Sequence, residues 1–146
     1  DLPPVVELDL ATQRPVVSLI GSDITIVASG HASLLAREAA EQLENEGVSV
    51  EVVDVRVLNP FHAEKIIESV KKTKNLLVVD SGWMSGGFSA EIIAKVVEQL
   101  PVNCLNNPPV RIALPDAPAP TSRELEKAYY TSTDDVVKAV RKIVKK

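Results

Sequence analysis

Aromatic side chains are scarce in this chain: one Trp, two Tyr and two Phe among 146 residues. A core built here must be aliphatic, drawn from the Val, Ile, Leu and Ala that dominate an apolar fraction of 45%. The lone cysteine, Cys104, excludes an internal disulfide and is compatible with a reducing compartment. Two histidines, His31 and His62, together with that thiol leave no metal-ligand spacing, so no bound metal is expected. No apolar run approaches the ~20 residues of a membrane span, and no charged-then-apolar leader opens the sequence. Neither membrane insertion nor a targeting segment is therefore expected. The net charge of −4 argues against nucleic acid as a partner.

That charge is uneven. Residues 138–146 hold five basic side chains and no acidic one, which leaves 11 basic against 20 acidic residues, a net of −9, in the remainder. The basic end reads as a C-terminal helix whose cations complement its own dipole. No aromatic platform is interleaved with it, as a nucleic-acid surface would require. The acidic remainder favours a basic protein partner.

One stretch organises the rest. Leu76 to Asp80 is an apolar, β-branched run, as a buried strand should be. Ser81-Gly82-Trp83-Met84-Ser85-Gly86-Gly87 then breaks all periodicity. From Phe88 the apolar residues return at helical spacing, through Ile92, Ile93, Val96 and Val97. The pattern predicts a strand ending at Asp80, a glycine-rich turn, and a helix whose N-terminus faces the strand end. The only Trp and the only Met lie in that turn, and both residue types favour interfaces as well as cores.

In chain order, residues 1–13 read as a lead-in or linker, and residues 14–146 as one domain. Pro15 to Ile20 and Ile24 to Ala28, separated by Gly21-Ser22-Asp23, predict an antiparallel hairpin. Ser29-Gly30-His31 ends the second strand and opens a helix over about residues 32–46, with Leu35, Ala39 and Leu43 on one face and Gly47 as its terminator. Val48 to Val57 is a third strand. Asn59-Pro60 is expected to cap and start the next helix, which buries Ile66, Ile67 and Val70. Pro109 to Leu114 is a fifth strand, and Pro115 to Pro120 a stiff crossing segment. Two capping-box patterns follow, Thr121-Ser122-Arg123-Glu124 and Ser132-Thr133-Asp134-Asp135. Strands alternating with helices predict a three-layer α/β/α domain with a five-stranded, mostly parallel mixed sheet whose first strand is antiparallel.

Ligands of such sheets bind at the carboxyl ends of the strands. The strand-end candidates are Gly30 and His31 in one turn, and Trp83, Met84, Gly86, Gly87 and Phe88 in the other. His31 reads first as a solvent-facing helix residue, with a phosphate or acid–base role as the alternative. His62 reads as a first-turn helix residue, and Asp80 as a cap for the turn after it. The glycine turn matches neither nucleotide-binding fingerprint, and no nucleophile elbow is present. Residue patterns alone deliver a fold and two surfaces, but no reaction.

Four segments in order carry a family resemblance: Asp23-Ile-Thr-Ile-Val-Ala-Ser-Gly30-His31, Val53-Asp-Val-Arg-Val-Leu-Asn-Pro60, Ile67-Glu-Ser-Val-Lys-Lys-Thr73 and Ser81-Gly-Trp-Met-Ser-Gly-Gly-Phe88-Ser-Ala-Glu-Ile92. They resemble the transketolase C-terminal domain, in the variant found in beta subunits of thiamine-diphosphate-dependent 2-oxo acid dehydrogenases of the pyruvate, branched-chain or acetoin type. Pro109-Val-Arg111, Pro118-Ala-Pro120 and Leu125-Glu-Lys-Ala-Tyr-Tyr130 resemble the tail of that subunit rather than that of transketolase.

The resemblance implies an assembly and docking domain of an oxidative decarboxylase, with no catalytic or cofactor-binding residue of its own. Thiamine diphosphate and Mg2+ would belong to the full enzyme. The implied partners are an alpha subunit, a second beta subunit, and the small basic subunit-binding domain of the dihydrolipoyl acyltransferase. The implied compartment is the cytoplasm, or the mitochondrial matrix in a eukaryote. The chain would be an excised domain or a split subunit. Transketolase, deoxyxylulose-phosphate synthase and a free-standing anion or small-molecule binder are the alternatives.

Overall fold

A computed structural model describes residues 9–144. Five strands form one mixed sheet in the order β1-β3-β2-β4-β5: β1 (Val16–Leu19), β2 (Ile24–Ala28), β3 (Val50–Asp54), β4 (Leu76–Trp83) and β5 (Val110–Leu114). All neighbours are parallel except β1, which runs antiparallel to β3. Five helices complete the domain: α1 (His31–Glu44), α2 (Glu64–Thr73), α3 (Phe88–Gln99), α4 (Arg123–Tyr129) and α5 (Thr133–Ile143).

Alternation along the strands makes the layers. Ile24, Ile26 and Ala28 of β2 face one side with Val52, Leu77 and Val79, where α1 and α5 cover them. Val27, Val53, Leu76 and Val78 face the other, beneath α2 and α3. Both clusters are aliphatic, so β2, β3 and β4 carry apolar side chains on both faces, as strands covered on both sides must, while β5 adds Val110 and Ile112 to the first side only. The α/β/α architecture with an antiparallel first strand is thus the one expected.

Its first connection is not. β1 does not pair with β2 as a hairpin, because β3 lies between them. Gly21 passes so close to the Val50 and Glu51 backbone that a Cβ would overlap it, and the Ser22 and Asp23 N–H groups both donate to the Ser49 carbonyl, at 3.2 and 2.8 Å. The short turn therefore crosses the amino end of β3 rather than reversing on itself. Two interstrand spacings of about 4.8 Å lie within reach of those residues.

Two helix boundaries also differ. Asn59–Pro60 is a cis peptide, and α2 begins only at Glu64, with Ala63 as its N-cap. Phe61 is drawn instead into an edge-to-face contact with Phe88, 5.0 Å between ring centres, which carries the chain past the expected start. His62 thus lies ahead of the helix, its Nε2 buried without a hydrogen-bond partner among the described residues. At α4 the N-cap is Ser122, whose side chain makes no capping bond; Leu125, not Glu124, then occupies N3, so the reciprocal box cannot close. At α5 the box forms, with Ser132 and Asp135 bonded in both directions.

Burial follows the expected stripes incompletely, with Phe88 and Ile93 of α3 only half-buried. Val97 of α3 is exposed, and Leu35 of α1 is only half-buried. α1 presents Ala32, Ala36, Ala39 and Ala40 to the core instead, small side chains that let it pack tightly on the sheet and on α5. In the basic end, Arg141 makes a two-pronged pair with Glu46, at 2.5 and 2.9 Å, so this cation is engaged across the domain. Of the lead-in, residues 1–8 lie outside the described set, and Leu10–Thr12 form a single 3-10 turn capped by Asp9.

Candidate functional site

Both candidate turns sit at the carboxyl edge of the sheet. At the first, Gly30 takes φ +56° as the N-cap of α1, a conformation that disfavours any side chain, and supplies no side-chain cap. His31 follows it, exposed at the first helical position.

The second turn is far more constrained. Its strand runs on past Asp80: after a shift in register from Val79, Trp83 pairs with Leu114 of β5, and the Met84 N–H donates to the Leu114 carbonyl at 2.8 Å. Trp83 is therefore the last residue of β4, not part of a loose turn. Ladder bonding to β5 explains the extension, and local sequence pattern cannot reveal it.

Asp80 spans the turn as the sequence suggests. Its Oδ1 accepts the Gly82 N–H at 2.9 Å, and its Oδ2 the Ser89 N–H at 2.7 Å. The carboxylate thus stands in for the missing cap of α3, where negative charge also suits the helix dipole. Gly86 adopts φ +69°, and Gly87 lies against the Trp83 carbonyl where a Cβ would overlap. Phe88, half-buried, closes the turn onto Phe61.

Other contacts tie this turn to the segment after β5. The Ser85 N–H and hydroxyl both donate to Asp116, at 3.0 and 2.6 Å. The Ser85 hydroxyl and N–H, with the Arg111 charge nearby, hold the Asp116 carboxyl below the usual aspartate range. Arg111 itself donates to the Met84 carbonyl at 2.9 Å. The Trp83 indole N–H donates to the Tyr129 hydroxyl at 3.1 Å, which donates onward to the Ala117 carbonyl at 2.7 Å. Sequence reasoning misses Arg111, Asp116 and Tyr129. Their one signal is that they lie in or beside the proline-rich crossing; only the β4–β5 pairing brings them to Trp83.

These polar groups position backbone rather than activate a nucleophile. The Ser85 hydroxyl meets a carboxylate with no imidazole beside it, so no relay for acyl transfer is assembled. Trp83 is nonetheless 55% exposed, and Leu34, Leu58, Leu125 and Tyr130, in elements that follow the strand ends, are exposed too. α4 buries no residue at all. Trp83 thus stands as an exposed indole on a turn held by hydrogen bonds to Tyr129 and β5.

Comparison with known proteins gives the domain its place. A family model described as "Transketolase, C-terminal domain" matches residues 15–136. The chain belongs to the transketolase C-terminal domain family. Among curated relatives, the mitochondrial pyruvate dehydrogenase E1 component subunit beta of Caenorhabditis elegans is 41% identical over 122 residues, 84% of this chain and 35% of that protein. The Rickettsia felis pyruvate dehydrogenase E1 beta subunit is 38% identical over 123 residues, 84% of this chain and 37% of that protein. The chain thus spans little more than a third of these relatives.

Among solved structures, a split-gene transketolase in an inactive beta4 tetramer aligns with TM-score 0.78 and 29% identity, covering 98% of this chain and 44% of that one. The 2-oxoglutarate:ferredoxin oxidoreductase of Magnetococcus marinus shares the fold, with TM-score 0.65 at 16% identity, covering 91% of this chain and 20% of that one.

The family's association with thiamine diphosphate and Mg2+ can be set against the residues present. Among the described residues no three His, Cys, Asp or Glu side chains come together as a metal site. At α3 the Asp80 carboxylate already occupies the helix N-terminus, where a diphosphate would meet like charge. The α3 turn therefore does not fit the cofactor's diphosphate. No helix among the described residues is long and apolar enough to cross a membrane.

Proposed function

We propose that this chain is the C-terminal assembly and docking domain of a thiamine-diphosphate-dependent 2-oxo acid dehydrogenase beta subunit. The observation that carries the reading is the alignment with about one third of pyruvate dehydrogenase E1 beta subunits at up to 41% identity. In this role the domain supplies no catalytic residue. Thiamine diphosphate and Mg2+ are held by other domains of the enzyme, and the domain's work is contact. The exposed carboxyl edge around Trp83 meets a second beta subunit, with the alpha subunit completing the assembly. The acidic balance of the chain outside its basic end favours the basic subunit-binding domain of the acyltransferase on a separate patch.

The test is reconstitution. The chain alone is expected to show no micromolar binding of thiamine diphosphate with Mg2+ by calorimetry and no decarboxylase activity. Mixed with an alpha subunit and the amino-terminal part of a beta subunit, it is expected to restore 2-oxo acid turnover. Acyltransferase-domain binding should weaken toward about 0.5 M salt, where the Debye length is only a few ångströms. Micromolar cofactor binding by the chain alone would overturn the reading.

A second reading is favoured by the split-gene transketolase, whose likeness covers nearly the whole of this chain. Restored turnover of sugar phosphates rather than 2-oxo acids in the same reconstitution would select it. Against it stand the higher identity to the dehydrogenase beta subunits and the tail from Leu125 to Tyr130.

A further inference from the structure

We propose that the pocket between Trp83 and Asp116 receives a lysine or arginine side chain from a protein partner, the cation lying against the indole face and bonded to the Asp116 carboxylate. The inference rests on the assembly reading for the existence of a partner and adds the chemistry by which this edge recognises it.

The cavity, about 340 Å³, is lined by Trp83, Ser85, Asp116, Ala117 and Pro118. Its walls are apolar except at Ser85 and Asp116, and Asp116 is the one charged group in the lining. A long basic side chain matches both parts: its methylene stem covers Ala117 and Pro118 while its head meets the ring and the carboxylate. Guanidinium and ammonium groups are attracted to the negative face of an indole, most strongly of the aromatic side chains.

The site is also built in advance. The indole is held by its N–H bond to Tyr129, itself bonded to Ala117, so ring and pocket wall move together. Asp116 is fixed by two bonds from Ser85, and each of its oxygens retains a second lone pair for an incoming donor. Little side-chain entropy is left to lose on binding.

The charge selects the occupant. An anion would face the carboxylate, and a purely apolar side chain would cover the ring while burying the carboxylate unmatched. Arg111, the fixed cation close enough to act on Asp116, is directed to the Met84 carbonyl and does not line the pocket. A larger apolar groove, formed by Val97, Leu100, Val102 and Leu105 with neighbouring residues, has no charged lining group to make such a choice.

The single tryptophan makes the test direct. N-acetyl-arginine amide, N-acetyl-lysine amide and uncharged N-acetyl-norleucine amide are titrated into the chain. Trp83 fluorescence and the indole N–H resonance report binding. The expected result is a saturable response to the arginine probe, a weaker one to lysine and none to norleucine. The arginine affinity should fall at about 0.5 M salt, and should fall at least ~5-fold in Asp116→Asn, which keeps a side-chain oxygen for Ser85. Glu124→Gln, on α4 outside the pocket, should bind as wild type.

An equal response to norleucine would make the pocket simply apolar and overturn the proposal, as would no saturation or an unchanged Asp116→Asn. If Asp116→Asn fails to fold, the arginine-to-norleucine contrast and its salt dependence in the wild type still decide. Self-association, followed by sedimentation, reports on the assembly reading separately: a chain that binds the arginine probe but never associates upholds the pocket and sinks the second-copy contact.

Discussion

Gly87 packs its α-carbon directly against the carbonyl of Trp83, leaving no room for a methyl group. The obstacle is backbone at the end of a paired strand, so it cannot swing aside. Gly82, four residues after Val78 in the same run, differs: a Cβ there would stand 3.2 Å from the Asp80 Oδ1, a side-chain atom that need shift by only a few tenths of an ångström. Gly87→Ala is therefore expected to cost more than about 2 kcal/mol and Gly82→Ala less than about 1 kcal/mol. Urea melts of the two variants check the contrast, and equal small losses would show that the turn is compliant.

The two serine caps should separate as sharply. Ser132 closes a reciprocal box with Asp135, whereas Ser122 makes no side-chain bond to its helix. Ser132→Ala is expected to cost about 1 kcal/mol and Ser122→Ala only a few tenths, read from thermal midpoints.

How far the sequence reaches is clear from such particulars. The apolar runs of β2 and β4 and the stripe of α2 are local patterns, and the layers follow from them. Asp80 as a cap was legible for the same reason, since its partners lie within nine residues. The false hairpin was not, because a Gly-Ser-Asp turn that reverses and one that crosses beneath a third strand look alike until β3 is placed. Trp83 followed suit: its strand status depends on Leu114, and its indole bond on Tyr129, 46 positions away. Contacts of that range carry no local periodicity.

Acid sensitivity should centre on Glu51. Only 2% exposed, it accepts hydrogen bonds from Lys72, Ser69 and the Gly21 N–H. Burial alone would raise its carboxyl, but those bonds outweigh it and hold the group below the usual glutamate range. A folded value below the unfolded one means stability that is complete above about pH 4.3 and lost as pH falls through the lower folded value. Wild-type stability is expected to hold from neutrality to about pH 5 and then drop. Glu51→Gln should be less stable by about 2 kcal/mol at neutral pH and fall less steeply in acid. Parallel pH profiles in denaturant melts would remove Glu51 from that role.

Lys72 offers a companion measurement. Its side chain is nearly half exposed, so Lys72→Met leaves the Glu51 carboxylate without its cation but with some access to water. A loss of about 2 kcal/mol is expected, below the ~3–5 of a wholly buried pair. A neutral substitution would mean that Ser69 and Gly21 suffice.

Trp83 reports on assembly directly. Exposed in the single chain, it is expected to emit at long wavelength when dilute and to shift blue as concentration rises and a second copy covers it. An emission already blue and shielded from quenchers at nanomolar concentration would place the ring in an interior and end the interface reading.

The antiparallel β1 has a practical corollary. Because Val16 pairs with Asp54, at the carboxyl end of β3, residues ahead of Val16 reach the sheet at the edge that bears Trp83 and His31. α5 finishes at the opposite edge, where the Ile143 carbonyl accepts from Asn107 beside Asn75. A fluorescent protein or solid-support tag joined close ahead of Val16 would therefore crowd the contact surface. The same tag fused behind would hang from the far end and leave that surface open.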